Sequence, residues 1–298
     1  HVLKKYIMNS FYTFLPLITA FSWANSGLFL RKTRTENHYV LPVVESSITI
    51  LVCTLLMSIN NLWKDLIYIN HSTLGILIFA YVLDLAGTLL YIFSIRRTPL
   101  GIVYVLIHAT QVMTITIIDT YINNLSFGIF FLLGIILILS GISTINFQTF
   151  KRINESKFNL IGMSTSIFGG FLWGNTAFIV DRSLLKTGIL TAVFIKCCVI
   201  LIIQGSVIFN KRYDLVKTLN LRELKFLSLS GACITFAYLL WVTSLKYNSG
   251  TLTSVLVTSS PIFVLILSYI FLKEKLSIYQ ISGIFICLTG IVAIVLNN

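Results

Sequence analysis

The sequence predicts an all-α membrane protein: ten transmembrane helices arranged as two inverted five-helix repeats. Three observations carry this expectation. The chain is 298 residues long, 56% hydrophobic and only 11% charged, with mean hydropathy +0.91, whereas a soluble domain carries roughly 25% charged residues. Its apolar residues fall in runs of about 20, the length that crosses a hydrocarbon core of roughly 30 Å. Finally, several short segments recur about 150 positions apart. The runs are continuous rather than alternating, which excludes a membrane β-barrel.

Ten spans are expected, at 11–30, 39–59, 74–95, 100–118, 127–147, 158–180, 189–209, 226–245, 250–272 and 278–296. The connections are short and leave no room for a soluble catalytic domain. Pro99 opens span four, where a missing N–H is tolerated. Pro261 lies inside span nine and is expected to kink it, freeing a carbonyl for neighbouring Ser or Thr hydroxyls. Because Lys4-Lys5 leads directly into an ordinary first span, no cleavable signal peptide is expected.

The duplication appears in three places. Phe21-Ser22-Trp23-Ala24-Asn25 matches Phe171-Leu172-Trp173-Gly174-Asn175, and Leu89–Ser94 matches Leu239–Ser244, both at an offset of 150. Gly134 and Gly141 match Gly283 and Gly290 at an offset of 149. The chain therefore divides into repeats at 1–150 and 151–298, each with five spans. An odd number of spans inverts the second repeat relative to the first, the architecture of secondary transporters, with a site near the bilayer midplane between the halves.

From Ser244 to Gly290 the sequence resembles the drug/metabolite transporter superfamily, specifically its EamA-type domain. The residues that carry the likeness are Leu245-Lys246-Tyr247, Ser260-Pro261-Ile262-Phe263, Phe271-Leu272-Lys273-Glu274-Lys275-Leu276-Ser277, Gln280, and Gly283 with Gly290. The first half departs from the pattern, with Gln111 in place of the proline and Asn123-Asn124 in place of the hairpin glutamate. The resemblance implies a central cavity lined by spans one to four and six to nine, with spans five and ten peripheral. It also implies cytoplasmic termini. The Lys and Arg distribution points the other way, with fifteen in loops after odd spans against six on the opposite face, and the richer face should be cytoplasmic.

Ionisable side chains inside apolar spans are costly and point to function. Glu45 in span two and Lys196 in span seven sit at nearly equivalent repeat positions. Counting backbone rise from opposite faces leaves them about 10 Å apart in depth. That gap suits a zwitterion, Lys196 to its carboxylate and Glu45 to its amine, better than a direct ion pair. Snorkelling of each to its nearer interface, or an intramolecular hydrogen bond, is the structural alternative. Asp84 in span three and His108 in span four lie near the midplane on neighbouring spans, close enough in sequence to touch. Such a pair suits binding and releasing a proton during transport; a structural hydrogen bond is the alternative. The amide–aromatic pairs Trp23/Asn25 and Trp173/Asn175 are mid-span, away from the interfacial belts, and are read as cavity lining. Gln111, Tyr91 and Trp241 complete the expected substrate contacts, although the two aromatics suit interface anchors as well.

Other features read as structural. The five cysteines lie inside spans without metal-site or disulfide spacing, so no metal and no cofactor are expected. Gly170/Gly174 and Gly283/Gly290 read as packing seams, and Glu274 as a surface cap for span ten. The net charge of +12 belongs to loops that set topology and touch lipid headgroups, not to nucleic acid.

The function expected is secondary transport of a small polar metabolite, an amino acid or related zwitterion, by alternating access. The alternatives are export of amphipathic cations or carriage of anionic metabolites such as nucleotides and organic phosphates. No ATP-binding motif, no paired acidic motif for metal–phosphate chemistry and no ring of pore residues argues for a pump, an enzyme or a channel. A multi-pass protein of a bacterial inner membrane, contacting lipids and plausible as a monomer, completes the expectation.

Overall fold

Long apolar runs leave the backbone no solvent to bond with, so each closes its own hydrogen bonds as a helix. The structure is a computed structural model that describes residues 2–30, 32–34, 38–98, 100–147, 160–211, 213–217, 219–273 and 276–296. Pro99, Glu274 and Lys275 lie outside the described residues. Among those described there is no strand. The main helices are α1 (Val2–Leu30), α2 (Leu41–Ile59), α3 (His71–Ile95), α4 (Leu100–Tyr121), α5 (Ile129–Ile145) and α6 (Leu160–Ser183). Next comes α7, built from Ile189–Ile200, a π turn Leu201–Gly205 and Ser206–Lys211. The chain continues through α8 (Leu221–Tyr247), α9 (Gly250–Val257 and Ser260–Leu272) and α10 (Ile278–Leu296).

Eight described helices are long and apolar enough to cross a membrane, while Ile129–Ile145 is apolar but shorter. Helix α6 is not among the eight, being rich in Gly, Ser, Thr and Asn. It is also the helix held by α3 on one side and α4 on the other. Small residues suit such close packing more than they suit lipid. Side chains such as Leu51, Leu55, Ile136, Ile202 and Phe285 remain exposed around the outside, as expected where the surroundings are hydrocarbon.

Local chemistry sets the helix boundaries. Asn70 starts α3 by accepting from the Ser72 N–H, and Asn220 with Glu223 forms a capping box at α8. Ser277 and Gln280 reciprocate in the same way at α10, through bonds of 2.8 and 3.3 Å. Each satisfies donors that a helix start otherwise leaves unpaired. Pro261 does more than kink span nine: the helix breaks outright at Thr258–Ser259. The hydroxyls of Thr258 and Ser259 donate to the carbonyls of Val255 and Leu256, both at 2.6 Å, taking up acceptors at the break.

Packing partners recur between the halves. Helix α1 packs on α8 and α9, and its repeat counterpart α6 packs on α3 and α4. Helices α2 and α7 pack on each other, as do α5 and α10. The last pair runs antiparallel at backbone contact. A Cβ on Gly134 would come 2.9 Å from the Gly290 carbonyl oxygen, and one on Gly141 would come 2.8 Å from that of Gly283. These four glycines match in pairs at an offset of 149 residues, so the seam is its own image. Two groups of helices result, α3–α4–α6 and α1–α8–α9, with α2 and α7 between them.

Candidate functional site

Between the two groups lies a cavity of about 810 Å³. One wall carries Asp84, Thr88 and Tyr91 of α3, Tyr104, His108 and Gln111 of α4, and Trp173 of α6. The facing side carries Trp23 of α1, Glu45 of α2, Lys196 of α7, and Ile234, Tyr238 and Trp241 of α8. Helices α5 and α10 reach it only at one end, through Ile145, Asn146 and Gln280. That end, where α1 and α3 finish at Leu30 and Ile95 and His38 precedes α2, reaches the helix termini and is taken as the mouth. Burial holds the His38 imidazole below the usual histidine range, and the charge of Arg96 adds to the effect.

Lys196 and Glu45 form a direct ion pair, Nζ to Oε1 at 2.8 Å, with both residues almost fully buried at 3% and 4% exposure. The expected depth gap is therefore bridged. Backbone rise was the wrong measure, because α2 and α7 pack on each other and the lysine's four methylenes with the glutamate's two span the difference. The pair is further held. Thr49 donates to Glu45 Oε1 at 3.3 Å, and the Lys196 ammonium sits 3.5 Å from the Tyr238 ring centroid. A cation over an aromatic face gains further electrostatic stabilisation.

Asp84 and His108 share the cavity but do not bond to each other. His108 Nδ1 pairs with Gln111 Oε1 at 3.3 Å, and Trp173 comes between α3 and α4. Its indole N–H donates to the Asp84 backbone carbonyl at 3.3 Å, while its ring lies 6.5 Å from that of His108. Adjacency in sequence misled here, since α4 packs mainly on α6 rather than on α3. The Asp84 carboxylate makes no hydrogen bond or ion pair among the described residues.

Of the residues expected to contact substrate, Lys196, Glu45, Trp23, Trp173, Gln111, Tyr91 and Trp241 line the cavity. Asn25 and Asn175 do not. Each amide donates back to its own helix, to the carbonyls of Phe21 and Phe171 at 2.9 and 2.8 Å. Two residues along a helix turn the side chain about 200°, so an asparagine two positions beyond a cavity tryptophan faces away.

Sequence reasoning passed over Tyr104 and Tyr238, both on the walls. Spacing was the available signal, since Tyr104 precedes His108 by four and Tyr238 precedes Trp241 by three, each on one helix face. Four rings close a circuit on the first wall. Tyr91–Tyr104, Tyr104–His108, His108–Trp173 and Trp173–Tyr91 have centroid separations of 6.2, 5.0, 6.5 and 5.8 Å. Gly87 makes this possible, because a Cβ there would lie 2.7 Å from the Trp173 ring. Among the described residues no group of His, Cys, Asp and Glu is arranged to hold a metal.

Residues 160–296 match the model of the EamA-like transporter family. The chain carries an EamA-type domain. That domain is of the drug/metabolite transporter superfamily, and the apolar helices make the chain an integral, multi-pass membrane protein. The whole chain is also similar to an uncharacterized transporter from Archaeoglobus fulgidus, 23% identical over 286 residues that cover 95% of this chain and 97% of that one. A crystal structure at 12% identity superposes with a TM-score of 0.77 over 95% of this chain and 96% of its own. At that identity the likeness speaks for a shared fold alone.

Proposed function

We propose that the protein is a secondary transporter that recognises its substrate through a positively charged nitrogen, an amphipathic organic cation being the class the cavity suits best. The observation that carries this is Asp84. Its carboxylate faces the cavity without an ion pair among the described residues, beside an aromatic wall, while Lys196 is already neutralised by Glu45. A low-dielectric site with one uncompensated carboxylate attracts cations and repels anions, so the anionic-metabolite alternative has little support. The matched family model and the transporter relative support the broader reading of a membrane transporter.

Transport proceeds by alternating access between two inverted repeats, 1–150 and 151–298. The exchange of packing partners between halves and the antiparallel, self-matching glycine seam of α5 and α10 support this. The mouth lies on the face richer in Lys and Arg, which supports a cytoplasm-facing opening. Proton coupling would run through Asp84, a proton and a cation competing for one carboxylate, with His108 polarising the same wall.

A zwitterion is the second reading, favoured by one feature. Lys196 keeps two N–H donors beyond its bond to Glu45, and the Tyr238 hydroxyl is buried with no partner among the described residues. Together they could take a carboxylate while Asp84 takes the amine. Counterflow in proteoliposomes separates the readings. Exchange of a labelled organic monocation, lost in Asp84→Asn and kept in the double variant Glu45→Gln/Lys196→Met, which strands neither charge, is the expected result. Exchange of amino acids lost in both variants would establish the zwitterion, and exchange of organic anions would overturn both.

A further inference from the structure

Beyond the end of the cavity opposite the mouth lies a polar cluster that none of the cavity-lining residues joins. At its centre is Asp119, at the C-terminal end of α4 and fully buried at 0% exposure. Its Oδ2 accepts from the Thr251 N–H at 2.8 Å and from the Thr251 hydroxyl at 2.6 Å. Its Oδ1 accepts from the Asn123 amide at 2.7 Å, and Arg182 of α6 donates in turn to Asn123. Thr251 is in the first turn of α9, whose segment Gly250–Val257 is buried throughout. A carboxylate there satisfies an otherwise unpaired helix-start donor and sits at the positive end of the helix dipole. Alongside it, Lys246 of α8 donates to the Leu184 and Thr187 carbonyls at 3.3 and 3.4 Å. These bonds join the α3–α4–α6 group to the α1–α8–α9 group.

The repeat does not copy this cluster. At an offset of 150, Asp119 corresponds to Tyr269 and Thr251 to Gly101, while Arg182 corresponds to Lys32. The mouth end therefore keeps the cation but lacks the carboxylate and the hydroxyl. Among the described residues no equivalent carboxylate–hydroxyl cluster joins the two groups at the mouth end.

We infer that Asp119 is a one-sided latch: a positioning residue that keeps this end closed in the unloaded protein and biases the resting state toward the open mouth. The inference rests on alternating access as proposed above. Substrate or proton binding in the cavity must then outweigh the latch before the far end opens. Bonds to an ionised acceptor are the strong members of the hydrogen-bond class, so losing them should shift the equilibrium by about tenfold or more.

The test is sided thiol labelling of Thr88→Cys, a cavity position, in proteoliposomes of mixed orientation with an impermeant reagent. None of the five native cysteines lines the cavity, and the chain without the added cysteine serves as blank. Molecules presenting the mouth react fast, and those presenting the latched end react slowly. In Asp119→Ala the slow phase should accelerate about tenfold or more, with Thr251→Val moving the same way by less. A slow phase unchanged in both variants, with monodisperse protein, would overturn the latch and leave alternating access standing. A slow phase absent in every variant, half the sample never reacting, would instead remove alternating access itself. If Asp119→Ala fails to fold, Thr251→Val decides alone, since it preserves shape and deletes only the hydroxyl. A merely structural cap would lower thermal stability without altering sidedness.

Discussion

The two long faces that α3 and α8 turn toward the cavity occupy equivalent positions in the repeat yet have opposite chemistry. Helix α3 presents Asp84, Thr88 and Tyr91, and α8 presents Ile234, Tyr238 and Trp241 at the same three places. Across from them, Trp173 and Trp23 are likewise equivalents. The first wall bears a carboxylate with no ion pair among the described residues. The second has Ile234 in place of the acid, and its Tyr238 ring is covered by the protein's own cation, Lys196. The two walls therefore share aromatic character at an offset of 150 residues, while one is satisfied within the protein and the other is able to take a foreign charge.

The comparison breaks most severely at the self-satisfied side. Glu45→Gln leaves the Lys196 ammonium buried without its partner, which should destabilise the protein by about 3–5 kcal/mol. The double variant Glu45→Gln/Lys196→Met should recover most of that, and thermal unfolding in detergent reads both. If the single variant melted with the parent, the second wall would not depend on the ion pair at all. At the open side, Asp84→Asn should weaken binding of an organic cation by about 1.5–3 kcal/mol and flatten the pH dependence of transport. Its melting temperature should stay near that of the parent, because no partner among the described residues is stranded.

Gly87→Ala probes how the first wall is built. A methyl group 2.7 Å from the Trp173 ring must push the indole aside, at about 1–3 kcal/mol, with loss of its bond to the Asp84 carbonyl. Tryptophan fluorescence and cation affinity should both shift, and an unchanged spectrum would show the wall to be looser than its contacts imply. The smallest expected effect sharpens the asymmetry. Trp173→Phe should weaken cation binding by about 0.5–2 kcal/mol, whereas the equivalent Trp23→Phe should cost less. Equal losses would mean that the substrate uses both walls alike.

Much of this was legible from composition and spacing alone. Continuous apolar runs admit only helices in lipid, and the matched segments around Trp23/Trp173 and Tyr91/Trp241 announced a duplicated chain with its aromatics in equivalent places. Ionisable residues such as Glu45, Asp84 and Lys196 stood out because burying them is expensive wherever they point. What a side chain meets was not legible. Depth counted along separate helices kept Glu45 and Lys196 apart, and sequence adjacency put Asp84 beside His108. Interhelical packing decided otherwise, since side-chain reach across α2 and α7 and the intrusion of Trp173 from α6 are not properties of any one segment.

Asp119 illustrates the same limit from the other side. It falls just past the end of the fourth apolar run and drew no attention in sequence, because hydropathy registers only its immediate neighbours. Its role emerges once α9 is docked against α4, more than a hundred residues away. The chain by itself determined helices, repeat and the inventory of charges, all of which follow from local solvation and periodicity. Only the tertiary structure decided which charges cancel, which stays available and which residues line the cavity, because those outcomes depend on distances between helices that no linear pattern encodes.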